Sequence, residues 1–222
     1  QRNNEIDFTE FSERVEALFP DENVLLRRFV SDSFDFRYLE NLYRQRDPNV
    51  PFFMFNVTMQ NHGSYQAGYT NFDQQIRLTS TKDYYPYANR FLSLIYESDK
   101  ALSELIEYYS DVSRPTIILM FGDHQPSIET DFVEEVMGKK LEDLSLEEKQ
   151  KRFVTPFVLW ANYDIPEGYI DMISSNYLST LLLQTAGLET TQYNKFLSAL
   201  YKQLPVIDTT GYITADGRYC TY

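Results

Sequence analysis

Two short apolar runs constrain the fold of this chain more than any other feature. Residues 51–59 and 116–121 are predominantly aliphatic and aromatic, and turn-forming residues bound both runs. Short apolar runs of this kind are typical of strands that are buried on both faces in an α/β sheet. Neither run approaches the ~20 residues that a membrane-spanning helix needs. The sequence therefore predicts two buried strands and no membrane-spanning segment in this stretch.

Helical patterns separate these strands and follow them. Six stretches have helical character, the second of them capped by Ser33, and they lie at 7–18, 33–43, 84–110, 129–152, 171–186 and 190–203. A third strand is predicted at 153–160, and the polar residues 66–83 predict a long surface loop. This alternation predicts an α/β fold with a mainly parallel sheet flanked by helices. The Asp216-Gly217 pair predicts a C-terminal β-hairpin, and no domain boundary is evident.

The charge balance and the cysteine content exclude several functions. The chain carries 33 acidic and 20 basic residues, for a net charge of −13. Nucleic-acid binding and electrostatic docking on an anionic membrane both require a basic surface, which is missing here. Cys220 is the one cysteine, so an internal disulfide and a cysteine-based metal site are excluded. The N-terminus is polar from Gln1, so any signal or membrane anchor is expected upstream.

The chain has only two histidines, and each follows one of the two predicted strands. His62 comes after the run at 51–59, and His124 comes after the run at 116–121. Because the carboxyl ends of parallel strands meet at one edge of a sheet, both imidazoles are expected in the same crevice. Ligands bind at this edge in open α/β sheets, which makes the crevice a candidate functional site.

A carboxylate adjoins the second histidine. The sequence Gly122-Asp123-His124 allows the backbone to turn at the glycine and then presents a carboxylate and an imidazole. Oxygen and nitrogen donors of this kind suit Zn²⁺, Mn²⁺ or a similar divalent ion. Two ligands do not complete a site, so other groups must supply the rest. Each motif alone also fits a hydrogen-bonded polar loop, and the joint placement at strand ends is what favours a functional site.

These segments resemble those of a known family. Residues 53–65, with His62, resemble the histidine-bearing segment of lipoteichoic acid synthase-like and phosphoglycerol transferase proteins, and residues 117–126 resemble their Gly-Asp-His segment. The helix around 97–101 and the strand at 153–160 also resemble parts of this family. The resemblance extends over about residues 20–205. It implies the alkaline phosphatase/sulfatase fold, with this chain as the C-terminal portion of an extracellular catalytic domain.

The resemblance also implies a mechanism and a location. Asp123 and His124 match a metal-binding pair, Mn²⁺ being expected and Mg²⁺ or Zn²⁺ being alternatives, and His62 matches a catalytic histidine beside the phosphate. The expected substrate is a phospholipid head group or another phosphate or sulfate ester. The nucleophile is expected outside this chain, because Thr9 lies in a predicted helix and Ser64 lacks a hydrolase elbow. The remaining polypeptide, with membrane helices, would anchor the enzyme at the extracellular face of a bacterial membrane, and this portion alone is expected to be inactive.

Two alternatives remain open from the sequence. The chain fits a non-catalytic module that binds cell-wall glycans or teichoic polymers through tyrosine-rich loops, since aromatic faces stack on sugars and cations. The tyrosines concerned are Tyr65, Tyr69, Tyr84, Tyr85 and Tyr87. Within the same superfamily, a sulfatase or a phosphodiesterase is the other alternative.

Overall fold

The computed structural model describes residues 24–222 together with Ala17 and Phe19. These residues belong to two compact units, whereas the sequence showed no boundary. The first unit runs to Asp111 and includes Pro126–Gly138, and the second comprises Val112–Gln125 and Lys139–Tyr222. The chain passes between the units three times, so the boundary does not appear as a single linker. The helix predicted at 7–18 lies outside the described residues, apart from Ala17.

The first unit is built on a small hairpin and two long helices. Strands β1 (Leu25–Leu26) and β2 (Phe29–Val30) pair antiparallel, and helices α1 (Asp32–Gln45) and α2 (Pro86–Ser110) follow. The Ser31 hydroxyl accepts a hydrogen bond from the Phe34 amide, so the α1 cap lies two residues before the predicted one. Both helices bury one apolar face, with Phe34, Phe36 and Tyr43 on α1 and Leu94, Ala101, Leu105 and Tyr109 on α2.

A third helix ties the start of α2 to the rest of the first unit. Helix α3 spans Thr130–Met137 and is preceded by Glu129. The Glu129 carboxylate accepts hydrogen bonds from the backbone amides of Tyr87 at 2.6 Å and Ala88 at 3.0 Å. These amides lie in the first turn of α2, where no intrahelical partner exists and where the helix dipole favours negative charge. Glu129 therefore supplies a side-chain cap for the start of α2.

The predicted buried strand at 51–59 is wrong for the described residues. Residues 51–57 are exposed and belong to no sheet, although the segment is apolar. The apolar run identified a segment that suits a sheet interior, but strand formation also requires a paired neighbour. The described part of the chain supplies none for it.

The second unit contains the remaining strands. Strands β3 (Ile117–Phe121) and β4 (Phe157–Ala161) pair antiparallel over five residues each. Helix α4 (Leu146–Gln150) lies between two single 3₁₀ turns, and helices α5 (Leu178–Thr185) and α6 (Gln192–Tyr201) follow β4. Gly187, with φ of 67°, ends the α5 region in the left-handed conformation that glycine adopts without strain. A meander of β5 (Val206–Ile207), β6 (Gly211–Ile213) and β7 (Tyr219–Thr221) confirms the C-terminal hairpin.

The mainly parallel sheet is not found in the described residues, whose strand pairs are all antiparallel. The prediction rested on the alternation of strands and helices, which favours parallel pairing when one helix connects neighbouring strands. Between β3 and β4 the chain instead enters the first unit, forms α3, and returns through α4. A connection of this kind does not fix the relative direction of the two strands. Within the described ranges, no helix is long and apolar enough to cross a membrane.

Candidate active site

A buried arginine organises the loop that carries His62. The Arg27 guanidinium donates hydrogen bonds to the backbone carbonyls of Gln60 at 2.6 Å, His62 at 2.8 Å and Ser64 at 2.9 Å. Arg27 lies in the turn between β1 and β2 with φ of 57°, a conformation that costs a non-glycine residue about 1 kcal/mol. Three charge-assisted hydrogen bonds outweigh that cost. The guanidinium thus fixes the path of the loop.

Aromatic rings surround the same guanidinium. The rings of Phe29, Tyr65 and Tyr69 have their centroids 5.5, 5.7 and 6.0 Å from the Arg27 guanidinium carbon. Burial lowers the pKa of Arg27 from its usual value. The ring faces and the carbonyl oxygens supply partial negative charge around the buried cation. The cation is therefore stabilised by dipoles and ring faces, without a salt bridge among the described residues.

A closed ring of hydrogen bonds holds the start of the loop against both long helices. The Asp32 amide donates to Gln60 Oε1 at 2.9 Å, and Gln60 Nε2 donates to Ser98 Oγ at 3.0 Å. Ser98 Oγ in turn donates to Asp32 Oδ2 at 2.5 Å, and Asn61 Nδ2 donates to Ser98 Oγ at 2.8 Å. Asp32, Gln60 and Ser98 are all buried. Among the described residues, Asp32 Oδ1 has no hydrogen-bond partner, but the other polar atoms of the ring are paired with one another. This network gives the start of the loop a defined conformation.

Burial changes the acidity of the carboxyl in this ring. Removal from water raises the pKa of Asp32 to about 6, and the hydrogen bond from Ser98 opposes that change without cancelling it. Asp32 is therefore an acid that titrates near neutrality inside the support of the loop.

The supported loop leaves the side chain of His62 exposed. Its Nδ1 lies 2.9 Å from the carbonyl oxygen of Gly63, and its ring contacts Phe29 edge-on with centroids 5.6 Å apart. With the proton on Nδ1 donated to that carbonyl, the Nε2 lone pair is available to an external group. A protonated His62 would instead offer Nε2–H to an anion. The loop thus presents an imidazole whose Nδ1 is held by a hydrogen bond and whose Nε2 can bind an external group.

The second motif forms a locked turn at the end of β3. The Gly122 amide donates to the Pro156 carbonyl at 3.1 Å, and the Thr155 hydroxyl donates to the Gly122 carbonyl at 2.8 Å. A Cβ on Gly122 would lie 3.0 Å from Thr155 Cβ, closer than ordinary side-chain contact. Glycine is required here by this close approach. The turn is therefore fixed to the residues that lead into β4.

Asp123 and His124 extend from this turn into solvent. Their side chains are 83% and 71% exposed, and Asp123 Oδ2 lies 3.4 Å from His124 Nε2. His124 Nδ1 lies 2.9 Å from the Gln125 carbonyl oxygen, which orients the ring with Nε2 outward. Two ligands about 2.1 Å from a tetrahedral ion lie roughly 3.4 Å apart, so the pair has the spacing of adjacent metal ligands. A carbonyl partner on the other nitrogen is the usual support of a metal-binding histidine.

The pair fits part of a divalent metal site. Among residues 24–222 no cluster of three or more histidine, cysteine, aspartate or glutamate side chains forms a complete site. Asp123 and His124 supply two donors, and further ligands must come from elsewhere. The structure brings these two predicted ligands together, whereas His62 belongs to the first unit and the pair to the second. The prediction that all three share one crevice stays a prediction.

Sequence reasoning missed the residues that support the loop. Arg27, Asp32 and Ser98 lie far from His62 in sequence, and nothing in their local patterns distinguishes them from surface residues. Gln60 was included in a polar loop, yet its side chain is buried. Buried polar residues that meet across long sequence separations leave no periodic signal.

The tyrosine-rich loops are less exposed than a glycan-stacking surface requires. Tyr65 and Tyr85 are buried. The Tyr65 hydroxyl donates to the Asn61 carbonyl at 3.0 Å, and the Tyr85 hydroxyl donates to Glu135 at 2.8 Å. Tyr84 and Tyr87 keep exposed rings. Two of the five proposed stacking residues therefore support the fold.

Comparison with known proteins identifies the family. The family model described as Sulfatase matches residues 7–188, which is most of the chain. This chain belongs to the sulfatase family. The Gly-Asp-His turn and the His62 loop both lie within the matched region.

Two relatives refine this assignment. A protein of Rhizobium meliloti (strain 1021), named for the modification of cyclic beta-1,2-glucan, is 31% identical over 189 residues, or 81% of this chain and 29% of that protein. The structure of the Streptococcus pyogenes phosphoglycerol transferase GacH in complex with sn-glycerol-1-phosphate superposes with a TM-score of 0.62 at 17% identity. That match covers 85% of this chain and 46% of GacH, so the fold is that of a partial alkaline phosphatase/sulfatase-like domain. The chain spans less than half of either protein.

Replacement of Arg27 by lysine is expected to destabilise the first unit by about 3 kcal/mol, because the donors of an ammonium share one nitrogen and cannot reach carbonyls that the guanidinium contacts through two separate nitrogens. Urea unfolding monitored by tyrosine fluorescence measures the change. The matched control is Arg28→Lys, since Arg28 is exposed and makes one 3.3 Å hydrogen bond to Gly63. The control should change stability by less than about 0.5 kcal/mol. Equal effects from the two substitutions would contradict the assigned role of Arg27.

Asp32 is expected to make stability depend on pH. Its folded pKa of about 6 lies above the unfolded value near 4, so the folded state binds more protons in that window. The free energy of unfolding should therefore fall as pH rises from about 4 to 6, by up to about 3 kcal/mol. Asp32→Asn should remove this contribution, and the exposed Asp99→Asn should keep it. Unfolding titrations at several pH values test this, and identical pH profiles for the parent and Asp32→Asn would disprove it.

Gly122→Ala is expected to displace the Gly122-Asp123-His124 turn, because its Cβ would meet Thr155 at 3.0 Å. Overpacking of this kind costs about 1–3 kcal/mol. Gly168→Ala is the control, since a Cβ at Gly168 meets no atom within 4 Å. Thermal unfolding of both variants measures the cost. A Gly122 variant as stable as the Gly168 variant would show that the turn tolerates a side chain.

Proposed function

We propose that this chain is the metal-binding portion of a phosphoglycerol transferase-like enzyme that acts on phosphate esters. The observation that carries the proposal is the exposed pair of Asp123 and His124, 3.4 Å apart on a locked turn in a chain of the sulfatase family. The carboxylate oxygen of Asp123 and Nε2 of His124 would hold a divalent ion. Their mixed oxygen and nitrogen donors suit a divalent ion such as Mn²⁺, Zn²⁺ or Mg²⁺. Mn²⁺ is our first choice because of the resemblance to lipoteichoic acid synthase-like proteins.

When bound, such an ion stabilises negative charge on a phosphoryl oxygen and lowers the pKa of a coordinated nucleophile. With its Nδ1 proton donated to the Gln125 carbonyl, His124 would keep an unprotonated Nε2 for the ion. In its protonated form His62, held at Nδ1 by the Gly63 carbonyl, would donate Nε2–H to a phosphate oxygen or transfer that proton to the leaving oxygen. The nucleophile and the remaining metal ligands are assigned to the rest of the polypeptide. This chain alone should therefore turn over no ester, and vigorous turnover would contradict the assignment.

The relatives support the choice of substrate class. GacH is a phosphoglycerol transferase whose structure holds sn-glycerol-1-phosphate, and the Rhizobium protein is named for glucan modification. A phosphoglycerol group taken from a phospholipid head group and passed to a cell-envelope glycan or lipoteichoic acid-type polymer is consistent with both. We place this reaction at the extracellular face of a bacterial membrane, with membrane helices in the remaining polypeptide.

Hydrolysis of sulfate or phosphate esters is the second candidate, and the family description favours it. The two reactions differ in the acceptor, water or a glycan hydroxyl. In the longer polypeptide, release of free glycerol phosphate from a phospholipid with no glycan present would favour hydrolysis. Formation of glycerol phosphate-substituted glycan would favour transfer. The burial of Tyr65 and Tyr85 makes a purely glycan-stacking module the weaker alternative.

Metal binding by Asp123 and His124 is the most accessible test of the proposal. Calorimetric titration of the 222-residue chain with Mn²⁺ should give weak binding, because the described residues supply only two donors at this turn. The double variant Asp123→Ala/His124→Ala should lose at least about tenfold in affinity, since both donors are removed. Asp164→Ala, an exposed aspartate of the same unit, is the control and should bind like the parent. Equal binding by the parent and the double variant would reject the metal role.

A further inference from the structure

An exposed arginine lies beside His62 on the supported loop. Arg28 follows the buried Arg27 in the turn between β1 and β2, and it is exposed. Its Nη2 donates a hydrogen bond to the Gly63 carbonyl oxygen at 3.3 Å, and the same oxygen lies 2.9 Å from His62 Nδ1. Two nitrogens that lie at hydrogen-bond distance from one oxygen are no more than roughly 6 Å apart. The guanidinium and the imidazole are therefore neighbours.

One buried ring contacts both groups. Phe29 of β2 is 5% exposed, and its ring lies edge-on to the His62 imidazole with centroids 5.6 Å apart. The Arg28 guanidinium carbon lies 5.0 Å from the centre of the same ring, within the range of a cation–π contact. Because a buried ring is held by close packing, it restricts the positions of the two side chains that lie against it. Arg28 and His62 are thus placed side by side in the ligand-free protein.

The backbone at Arg28 is also fixed. The neighbouring Arg27 donates hydrogen bonds to three carbonyls of the His62 loop, which ties the turn to that loop. Asn71 Nδ2 donates to the Arg27 carbonyl oxygen at 3.0 Å and adds a further contact to the turn. A ligand that contacts both Arg28 and His62 therefore requires little backbone rearrangement, and this preorganisation favours binding.

Both groups keep donors for an external ligand. A guanidinium has several N–H donors, and the described hydrogen bonds of Arg28 use one of them. A protonated His62 likewise offers Nε2–H, since its Nδ1 is engaged by the Gly63 carbonyl. Among the described residues, no carboxylate forms an ion pair with Arg28. The remaining donors of Arg28 are therefore accessible to an anion.

Positive charge is concentrated here within an acidic chain. The net charge of the chain is −13, yet two successive arginines form the turn beside His62. Burial lowers the pKa of Arg27, and the charge of the neighbouring Arg28 lowers it further. The two guanidinium groups thus repel each other in the ligand-free protein. An anion bound beside Arg28 would offset this repulsion.

We infer that Arg28 is a phosphate-binding residue, which donates to one oxygen of a phosphoryl group while His62 Nε2–H donates to another. Arginine suits this role because its N–H groups point in fixed directions and form charge-assisted hydrogen bonds with phosphate. The inference rests on the proposed role of His62 at the phosphate ester. The alternative role of Arg28 is support of the Gly63 carbonyl alone, but an exposed hydrogen bond of 3.3 Å contributes little.

Nuclear magnetic resonance of the imidazoles tests the inference without reference to turnover. The chain has two histidines, so the Hε1 signal that disappears in His62→Gln is that of His62. Titration of the 222-residue chain with sn-glycerol-1-phosphate, with no added metal, should move this signal. Arg28→Gln should weaken the binding about three- to tenfold, because glutamine can still donate to the Gly63 carbonyl but carries no charge.

Arg44→Gln is the matched control for this titration. Arg44 is also an exposed arginine of the first unit, but it lies near the end of α1, about 18 Å of helix from Asp32. Its replacement should change the affinity by less than about twofold, because solvent and salt screen a charge at that distance. Equal binding by the parent and Arg28→Gln would overturn the inference and leave the role of His62 intact. A His62 signal that does not move in the parent would overturn both.

Kinetics of the longer polypeptide provide a second readout. Arg28→Gln should raise KM for a glycerol phosphate ester about tenfold, and Arg28→Lys should recover part of that loss, because lysine keeps the charge but lacks the planar fork. Both variants should keep the thermal midpoint within about 1 °C, since Arg28 is exposed. An unchanged KM in Arg28→Gln, or a rise in KM that accompanies a lowered thermal midpoint, would contradict a direct contact with the phosphate.

Discussion

The first unit depends on the contact between the Arg27 guanidinium and three carbonyls of the His62 loop. A loop of polar residues has no regular backbone pairing, and its carbonyls would otherwise require water. The guanidinium is planar and presents several donors in fixed directions, so one side chain satisfies three carbonyls at 2.6–2.9 Å and sets their relative positions. The position of His62 follows from this contact, because the one hydrogen-bond partner of its side chain among the described residues is the neighbouring Gly63 carbonyl.

The His62 loop and the Gly122-Asp123-His124 turn each hold a histidine in a defined orientation, but they do so through different interactions. The His62 loop is positioned by buried side chains that act from a distance in sequence, whereas the Gly122-Asp123-His124 turn is positioned by backbone contacts with Thr155 and Pro156. In both motifs a backbone carbonyl lies beside Nδ1, and Nε2 faces outward. This common orientation leaves Nε2 to external ligands, which we propose to be a metal ion at His124 and a phosphate or leaving group at His62. The proposed ligands follow from the membership of the chain in the sulfatase family.

The sequence predicted local features better than long-range ones. The long helix at 86–110, the strand at 117–121 and the C-terminal hairpin follow from periodicity, an apolar run and an Asp-Gly turn, all of which are local signals. The prediction of a strand at 51–59 was wrong for the described residues, because a strand needs a neighbouring strand to pair with and the described residues supply none. The predicted parallel pairing of the sheet was wrong for β3 and β4, because the connecting chain passes through the other unit.

The residues of the candidate site show the same difference between local and long-range features. His62, Asp123 and His124 are recognisable because they follow apolar runs and resemble known motifs. Arg27 and Asp32 are recognisable only in three dimensions, since their roles arise from hydrogen-bond partners 28 or more residues away. The raised pKa of Asp32, about 6, likewise comes from burial between elements and has no sequence signature.

The most direct test of the account is anomalous diffraction from crystals of the longer polypeptide soaked with Mn²⁺ and sn-glycerol-1-phosphate. The account predicts a peak about 2.1 Å from Asp123 Oδ2 and His124 Nε2, with His62 Nε2 within hydrogen-bond distance of a phosphate oxygen. A peak elsewhere, or a phosphate bound far from His62, would contradict it.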